Sequence, residues 1–512
     1  MRVDLDDLPT DPDLLQRLVR DLVADKERRD GEIEKLRLLV KQLQRQQFGR
    51  RSEKLDPDQL ALGLEDLDAD IGRAEEKQAQ AKPRRPSPER DDPPSRGKLP
   101  EHLPRDEVTH DIGACACPGC GAALHAVGET VSEMLDWVPA SLRVVRIRRP
   151  KYGCRGCGSI HQAPAPERTI AKGLATPALH AQVLVAKYCD HTPLYRQSQI
   201  FARMGVTLDR STLAGWVGGA CWWLETLQER IASHLLGSSK LFADDTPVPV
   251  LDPGRGRTKT GRLWVYVRDD RPWQGPDPPA ALYRFSPDRK GERPASHLDG
   301  FAGVLQVDGY QGFERLTDGG AIVLAACWAH TRRKFYDVLD ATGSPIAAAA
   351  LERIARLYEI EAEIRGQSAA ARRLTRQAQS RPIVDEMKVW LEQQHERIPG
   401  RAKLAEAIRY ALSRWPALGR FLDDGRIELD TNPVERAIRP VALGRKNHLF
   451  AGSDGGGARW ATVATLIGSC KLNGVEPYAY LRDVLTRMVE GHPAAKLDEL
   501  LPWNWKPAAV NG

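Results

Sequence analysis

The sequence predicts a multidomain α+β protein: an α/β core interrupted by a helical insertion, preceded by a coiled-coil-like helix, a cysteine-paired module and a helical helix-turn-helix region. Three observations predict it. The chain has 512 residues, more than one hydrophobic core usually holds. Apolar runs of strand length alternate with charged ones over residues 240–326, whereas residues 341–422 keep helical spacing. Two Cys-x2-Cys pairs stand ahead of both regions. A hydrophobic content of 41% and a charged content of 28% are ordinary for a globular protein. No apolar run approaches the roughly 18 residues of a membrane helix, so no membrane partner is expected. The N-terminus, Met1-Arg2-Val3-Asp4, lacks the apolar core of a secretory signal, so a cytoplasmic location is expected. The net charge of +6 permits a polyanionic partner without demanding one.

In order along the chain, residues 1–71 form a zipper-like helical region. Leu15, Leu22, Leu36 and Leu43 fall on one heptad series, interrupted by Arg29, and Val19, Ile33 and Val40 fall on its neighbour. Such a helix joins protomers into a homo-oligomer or packs on its own protein. Residues 72–106 are polar and proline-rich, as in Lys82-Pro83-Arg84-Arg85-Pro86, and read as a linker. A zinc-binding module is expected over 107–163, a helix-turn-helix region over 164–236 and the first part of the core over 237–340. The insertion follows over 341–425, the second part of the core over 426–475 and a helical tail over 476–512.

The module rests on Cys117-Pro118-Gly119-Cys120 and Cys154-Arg155-Gly156-Cys157, each followed by glycine. Four thiolates suit a structural Zn²⁺ site, because four protein ligands leave no open position for chemistry. Cys115 is an alternative to Cys117. In a reducing cytosol the single cysteines Cys189, Cys221, Cys327 and Cys470 read as core.

Residues 193–201 have helical apolar spacing, Gly205 ends them, and a second helix opens at Asp209 with Asp209 or Ser211 as its cap. This places Arg210, Ser211 and Thr212 at the helix end that reads base edges in a helix-turn-helix.

Two strands end in acids. Lys240-Leu241-Phe242-Ala243 runs into Asp244-Asp245, and Gly303-Val304-Leu305-Gln306-Val307 runs into Asp308. Paired side by side, such strands converge two carboxylates on one point, which suits Mg²⁺ or Mn²⁺. Neighbouring strand residues face opposite ways, so Asp244 and Asp245 are not expected both to be ligands, and periodicity does not choose between them. Glu435 is the third acid, although Asn432 as N-cap, Pro433 at N1 and Glu435 at N3 also make a capping box, and Arg439 could pair with Glu435. Arg332, Arg333 and Lys334, with Arg445 and Lys446, form cationic clusters suited to DNA phosphates or to a solvated face. The glycine run 452–457 lacks the Gly-Lys-Ser/Thr of a phosphate loop and reads as a loop.

Taken together, these residues resemble the transposases of the insertion sequence 66 family, the large TnpC-type protein of the DDE superfamily. The resemblance covers nearly the whole chain. It runs through residues 48–55, the Cys-Pro-x-Cys-Gly module, Tyr188 to Trp216 and Asp244-Asp245-Thr246-Pro247. It continues through Val307-Asp308-Gly309-Tyr310, the run from Cys327 to Phe335, and Asn432-Pro433-Val434-Glu435-Arg436. It implies an RNase H-like core with a helical insertion between the second aspartate and the glutamate. It also implies catalysis by Asp244, Asp308 and Glu435, and so selects Asp244 over its neighbour. Asp245 stands where the family usually has Glu. The function expected is metal-dependent DNA strand cleavage and strand transfer at element ends and target, with Mg²⁺ or Mn²⁺ at the acids and structural Zn²⁺ in the module. Accessory proteins of the same element and association with the bacterial nucleoid go with that role. The alternatives are a non-catalytic DNA-binding protein derived from a transposase, or a cellular RNase H-like nuclease that never joins ends.

Overall fold

The computed structural model describes residues 142, 144–145, 147, 151–153, 160–162, 166–170, 173–252, 257–448 and 450–507. The chain divides into two units, Met1–Arg146 and Ile147–Gly512. The expected zipper-like helix and linker, and the four cysteines expected to hold zinc, lie outside the described residues. Within the second unit, β1 (Lys151–Gly153) and β2 (Ile160–Gln162) pair antiparallel. Cys154 and Cys157 fall between them in the sequence.

Three helices follow: α1 (Pro177–Tyr188), α2 (Leu194–Arg203) and α3 (Arg210–Leu236). Thr176 caps α1 by accepting from the Leu179 amide, and Pro177 sits where its missing N–H costs nothing. The turn between α2 and α3 carries Gly205 at φ +81°, in the left-handed region that favours glycine. Asp209 occupies the N-cap of α3, yet its side chain makes no capping bond. Burial of Leu213, Trp216, Val217, Cys221, Leu224 and Leu227 along one face holds this helix instead.

The core is a five-stranded sheet in the order β5-β4-β3-β6-β7. Its strands are β3 (Lys240–Asp252), β4 (Arg257–Arg268), β5 (Ala280–Ser286), β6 (Gly303–Val307) and β7 (Ile322–Ala326). β3, β4 and β5 are antiparallel neighbours, whereas β3, β6 and β7 run parallel. A short helix, α4 (Glu292–His297), lies between β5 and β6. Helices then run from α5 (Trp328–Thr342) through α6 (Pro345–Ile364), α7 (Ala369–Thr375), α8 (Arg381–Arg397), α9 (Lys403–Ser413) and α10 (Trp415–Gly419). Their boundaries are local. Gly343 at φ +66° stops α5, and Ser344 caps α6. They share one core with the sheet: Trp328, Phe335, Ile354, Met387, Leu391, Ile408, Trp415 and Phe421 pack with Ala325 and Ala326 of β7 and with Ile427 and Leu429.

The chain returns through α11 (Asn432–His448), α12 (Asp454–Leu472) and α13 (Pro477–Val489). The glycine run expected as a loop instead opens α12, because Ser453 caps it and Gly457 lies against the Phe285 ring, where a Cβ would come within 2.4 Å. α12 also seals the sheet edge. Ser469 Oγ accepts from the Ala281 amide and Thr465 Oγ1 from the Tyr283 amide, so the outward N–H groups of β5 are satisfied by a helix. Among the described residues no helix is long and apolar enough to cross a membrane.

Candidate active site

The parallel strands place the acids. Ala243 pairs with Val307, and Val307 with Ala326. The next residues are Asp244, Asp308 and Cys327, so all three stand side by side past the carboxyl ends of β6 and β7, whereas β3, expected to end at its acids, continues through Asp244 to Asp252 because it keeps pairing with β4. Phe242 pairs with Gln306, and alternation then puts Asp244 and Asp308 on the face that Gln306 occupies. On that face the Gln306 amide donates to the Glu428 carbonyl at 2.6 Å and its oxygen accepts from the Glu428 amide at 3.3 Å. The Trp328 amide donates to the Leu429 carbonyl at 2.8 Å. The segment leading to Glu435 is thereby tied to the face of the two aspartates.

Asp245 points to the opposite face. Its buried carboxylate accepts from Arg289 at 2.8 and 3.0 Å and pairs with Arg262 at 2.9 Å. Strand alternation and these two guanidiniums separate the neighbouring acids, which sequence periodicity left open.

Asp244 has no such partner. Burial, and then the Asp308 charge, push its carboxyl up to about 7, against a bond from the Asp245 amide at 2.6 Å. Asp308 Oδ1 accepts from the Tyr310 amide at 2.9 Å. Among the described residues no ion pair engages Asp244, Asp308 or Glu435.

Glu435 sits in the first turn of α11. The capping box does not form as expected. The helix opens one residue earlier relative to its cap, at Asn432, with the Val434 and Glu435 amides both donating to the Thr431 carbonyl. Glu435 Oε1 lies 3.2 Å from the Thr431 hydroxyl, and no pair with Arg439 forms among the described residues. The carboxylate turns towards the sheet edge, where one ligand atom each of Cys327, His330 and Glu435 lie within 4.8 Å of one another. His330 also acts on Asp244, lowering its pKa, and its buried Nδ1 has no hydrogen-bond partner. His330 therefore links the Asp244 side of the site to Glu435. Sequence reasoning missed it. Its position at the first turn after β7, three residues from the cysteine that aligns with Asp308, was the available signal. Cys327 is core as expected, as are Cys221 and Cys470, whereas Cys189 is only half-buried at the end of α1.

The cationic residues separate by environment. Arg332, Arg333 and Lys334 are exposed on α5, just beyond His330. Arg333 pairs with Asp337 at 3.1 Å, and Lys334 lies over the Tyr410 ring at 5.5 Å. Arg445 on α11 is half-buried and donates to the Pro247 carbonyl, and burial with the nearby Arg262 lowers its pKa. Lys446 is exposed. Arg210 and Ser211 are exposed and Thr212 is half-buried at the start of α3.

The fold and site define a mixed α/β protein with two neighbouring aspartates, Asp244 and Asp308, on a partly parallel sheet, and with a group of Cys327, His330 and Glu435 that could hold a metal ion. Comparison with known proteins is then specific: the chain belongs to the Transposase IS66 family, whose model matches residues 172–459. Residues 465–503 match the IS66 C-terminal element, and 114–158 the zinc-finger binding domain of transposase IS66. Residues 35–108 match the family described as Transposase C of IS166 homeodomain. Among its relatives are three proteins of Sinorhizobium fredii, named uncharacterized protein y4jD, y4qI and y4hP. They are 44%, 43% and 41% identical, over 98%, 93% and 93% of this chain and 98%, 90% and 89% of their own lengths. The chain is thus a transposase-family protein of an insertion sequence, with zinc-finger and DNA-binding parts and DNA as its partner.

Proposed function

We propose that this chain is a DDE-type transposase that cleaves DNA strands and transfers the freed 3′ end, using an RNase H-like core into which the helices of residues 345–422 are inserted. The observation that supports this reading is that Asp244 and Asp308 stand side by side on paired strands with no ion pair among the described residues, and that His330, which acts on Asp244, is grouped with Glu435 and Cys327, in a chain of the transposase family. The donor set fits divalent cations. It offers oxygen ligands, it lacks a compensating cation, and one carboxyl is held near neutral pH by burial and a like charge. Asp244 and Asp308 would hold Mg²⁺ or Mn²⁺ together, and Glu435 would serve a second ion with His330 beside it. An imidazole donor there suits a transition ion, which favours Mn²⁺ of the two. Bound there, the ions would activate the attacking oxygen and stabilise the leaving one.

The remaining work belongs to the chain. Water attacks the phosphodiester at the element end, the bond to the 3′ oxygen breaks, and that oxygen leaves as a 3′-hydroxyl. The hydroxyl then attacks a target phosphodiester and displaces a target 3′ oxygen in turn. Arg332, Arg333 and Lys334 would hold phosphates beside the acids, with Arg445 and Lys446 on α11 along the same strand. Arg210, Ser211 and Thr212 would read the element end. Cys117, Cys120, Cys154 and Cys157 would hold structural Zn²⁺, and the N-terminal helix would join protomers.

The test is a cleavage and joining assay on labelled element-end DNA with Mg²⁺ or Mn²⁺, run beside Asp308→Ala. Metal-dependent nicking and joining that the variant loses supports the reading. Binding without cleavage, with proteins of the same element supplied, points to the non-catalytic DNA-binding alternative, and cleavage that never joins points to a nuclease.

A further inference from the structure

The turn that carries Asp308 is gripped by the helical insertion. Tyr410 Oη, on α9, donates to the Asp308 carbonyl at 3.0 Å. Arg414, at the C-cap of the same helix, donates through Nη2 to the Gly309 carbonyl at 3.2 Å. Its guanidinium lies 4.2 Å from the Tyr410 ring centroid and also donates to Ser413 Oγ at 3.1 Å, which fixes the pair as a unit. Gly309 has φ +101°, and a Cβ there would stand 2.8 Å from Arg414 Nε and 3.2 Å from Tyr410 Oη. Glycine at 309 thus allows both the left-handed turn and the close approach of the two side chains. From the other flank Arg289, itself held by Asp245, lies 3.9 Å from the Tyr310 ring centroid, and Tyr310 Oη donates to the Arg289 carbonyl. The Tyr310 amide is the group that orients the Asp308 carboxylate.

We infer that Tyr410 and Arg414 are positioning residues through which the helical insertion sets the Asp308 carboxylate for cation binding. Neither touches the carboxylate. Both hold the two carbonyls of its turn, so the next amide, Tyr310 N–H, stays aimed at Oδ1. With the carbonyls released, the turn rotates about Gly309, which has no Cβ to resist it, and the carboxylate loses its fixed direction. The insertion is therefore a brace on the second aspartate as well as a separate surface. This inference rests on the reading of Asp308 as a cation ligand.

The experiment is Mn²⁺ binding to the zinc-loaded full chain, followed by the electron paramagnetic resonance of free Mn²⁺. It compares wild type with Tyr410→Phe, Arg414→Lys, Arg414→Ala and Asp308→Asn, with melting temperature and DNA affinity measured alongside. Losing a supporting hydrogen bond of a metal ligand costs on the order of 10–100-fold in affinity. Tyr410→Phe and Arg414→Ala are expected to weaken Mn²⁺ binding on about that scale, with Arg414→Lys intermediate. Melting and DNA affinity of Tyr410→Phe should stay at the wild-type values, which separates positioning from general stability. Wild-type Mn²⁺ affinity in both Tyr410→Phe and Arg414→Ala overturns the brace while leaving the site intact. Wild-type protein that binds no Mn²⁺, or an Asp308→Asn variant that binds it undiminished, overturns the reading of the site and the brace with it.

Discussion

Ionisable side chains cluster at two places along β3, its amino end and the stretch around Asp244, and the two treat charge differently. At the amino end Lys240 is fully buried, donates to the Arg426 carbonyl at 3.0 Å and lies over the Phe242 ring. Around it Arg372 pairs with Glu428 at 2.7 Å and with Glu361 at 3.1 Å. Arg376, also fully buried, grips Glu361 at 2.6 and 2.7 Å and donates to the carbonyls of Phe421 and Asp424. Every acid there has a guanidinium. Around Asp244, within β3, the acids Asp244, Asp308 and the exposed Glu435 have no ion pair among the described residues, and burial with the Asp308 charge raises the Asp244 carboxyl to about 7. The balanced cluster holds the insertion to the sheet, whereas the proposed cation site leaves its carboxylates without guanidiniums.

The largest expected effect sharpens the functional end. Asp244→Ala, Asp308→Ala and Glu435→Ala should each lower strand transfer by about 10²–10³-fold or more, the scale for removing one group that stabilises transition-state charge. DNA binding should persist, and a gel-based joining assay that finds undiminished transfer removes that residue from the site.

At the balanced end the effect should fall on stability instead. Glu361→Ala leaves the buried Arg376 without its carboxylate, and breaking such a pair costs about 3–5 kcal/mol. Denaturant unfolding measures it, and a change below about 1 kcal/mol would show that the arginine finds water or its carbonyl partners sufficient.

The third prediction concerns pH. The Asp244 carboxyl titrates at about 7 in the fold and near 3.9 in an unfolded chain. The metal-free native state thus binds more protons than the unfolded one between those values, and stability falls as pH rises from about 4 to about 7. Asp244→Asn should flatten that slope and raise the melting temperature of the metal-free protein above pH 7. Mn²⁺ affinity of the wild type should rise over the same interval, because binding displaces the proton. A melting temperature with the same pH profile in wild type and variant would place the repulsion elsewhere.

The smallest effect belongs to the exposed cations. Arg333→Ala breaks a pair whose side chains are 75% and 59% exposed and should change stability by less than about 0.5 kcal/mol. If Arg333 contacts a phosphate, DNA affinity falls uniformly across sequences and its salt slope drops by about 1. An unchanged slope leaves Arg333 as a solvated partner of Asp337.

Much of this was legible in the chain. Asp244 and Asp308 follow apolar runs too short for helices, so strand-end carboxylates were expected there; Asp308 does follow the last residue of β6, whereas β3 runs on past Asp244 to Asp252. Gly205 ending one helix and Asp209 before the next were legible too, because turn and cap chemistry is local. His330 was not legible, because its relation to Asp244 and Glu435 depends on which strand lies beside which. The glycine run at the start of α12 misled for a similar reason: low helix propensity yields where Phe285 demands a residue without a side chain.

Residue types at short spacing were enough to name the family and the acids available, and to locate several helices and strands, because these depend on local chemistry. Only the folded chain shows that Asp244 lies beside Asp308 while Asp245 is spent on Arg262 and Arg289, and that Glu435 both accepts from the Thr431 hydroxyl at the start of its helix and lies beside Cys327 and His330. It also decided that Tyr410 and Arg414 reach the Asp308 turn from about a hundred residues away. The physical reason is that a carboxylate takes its role from the charges and dipoles around it, and those arrive from strands and helices that only folding brings together.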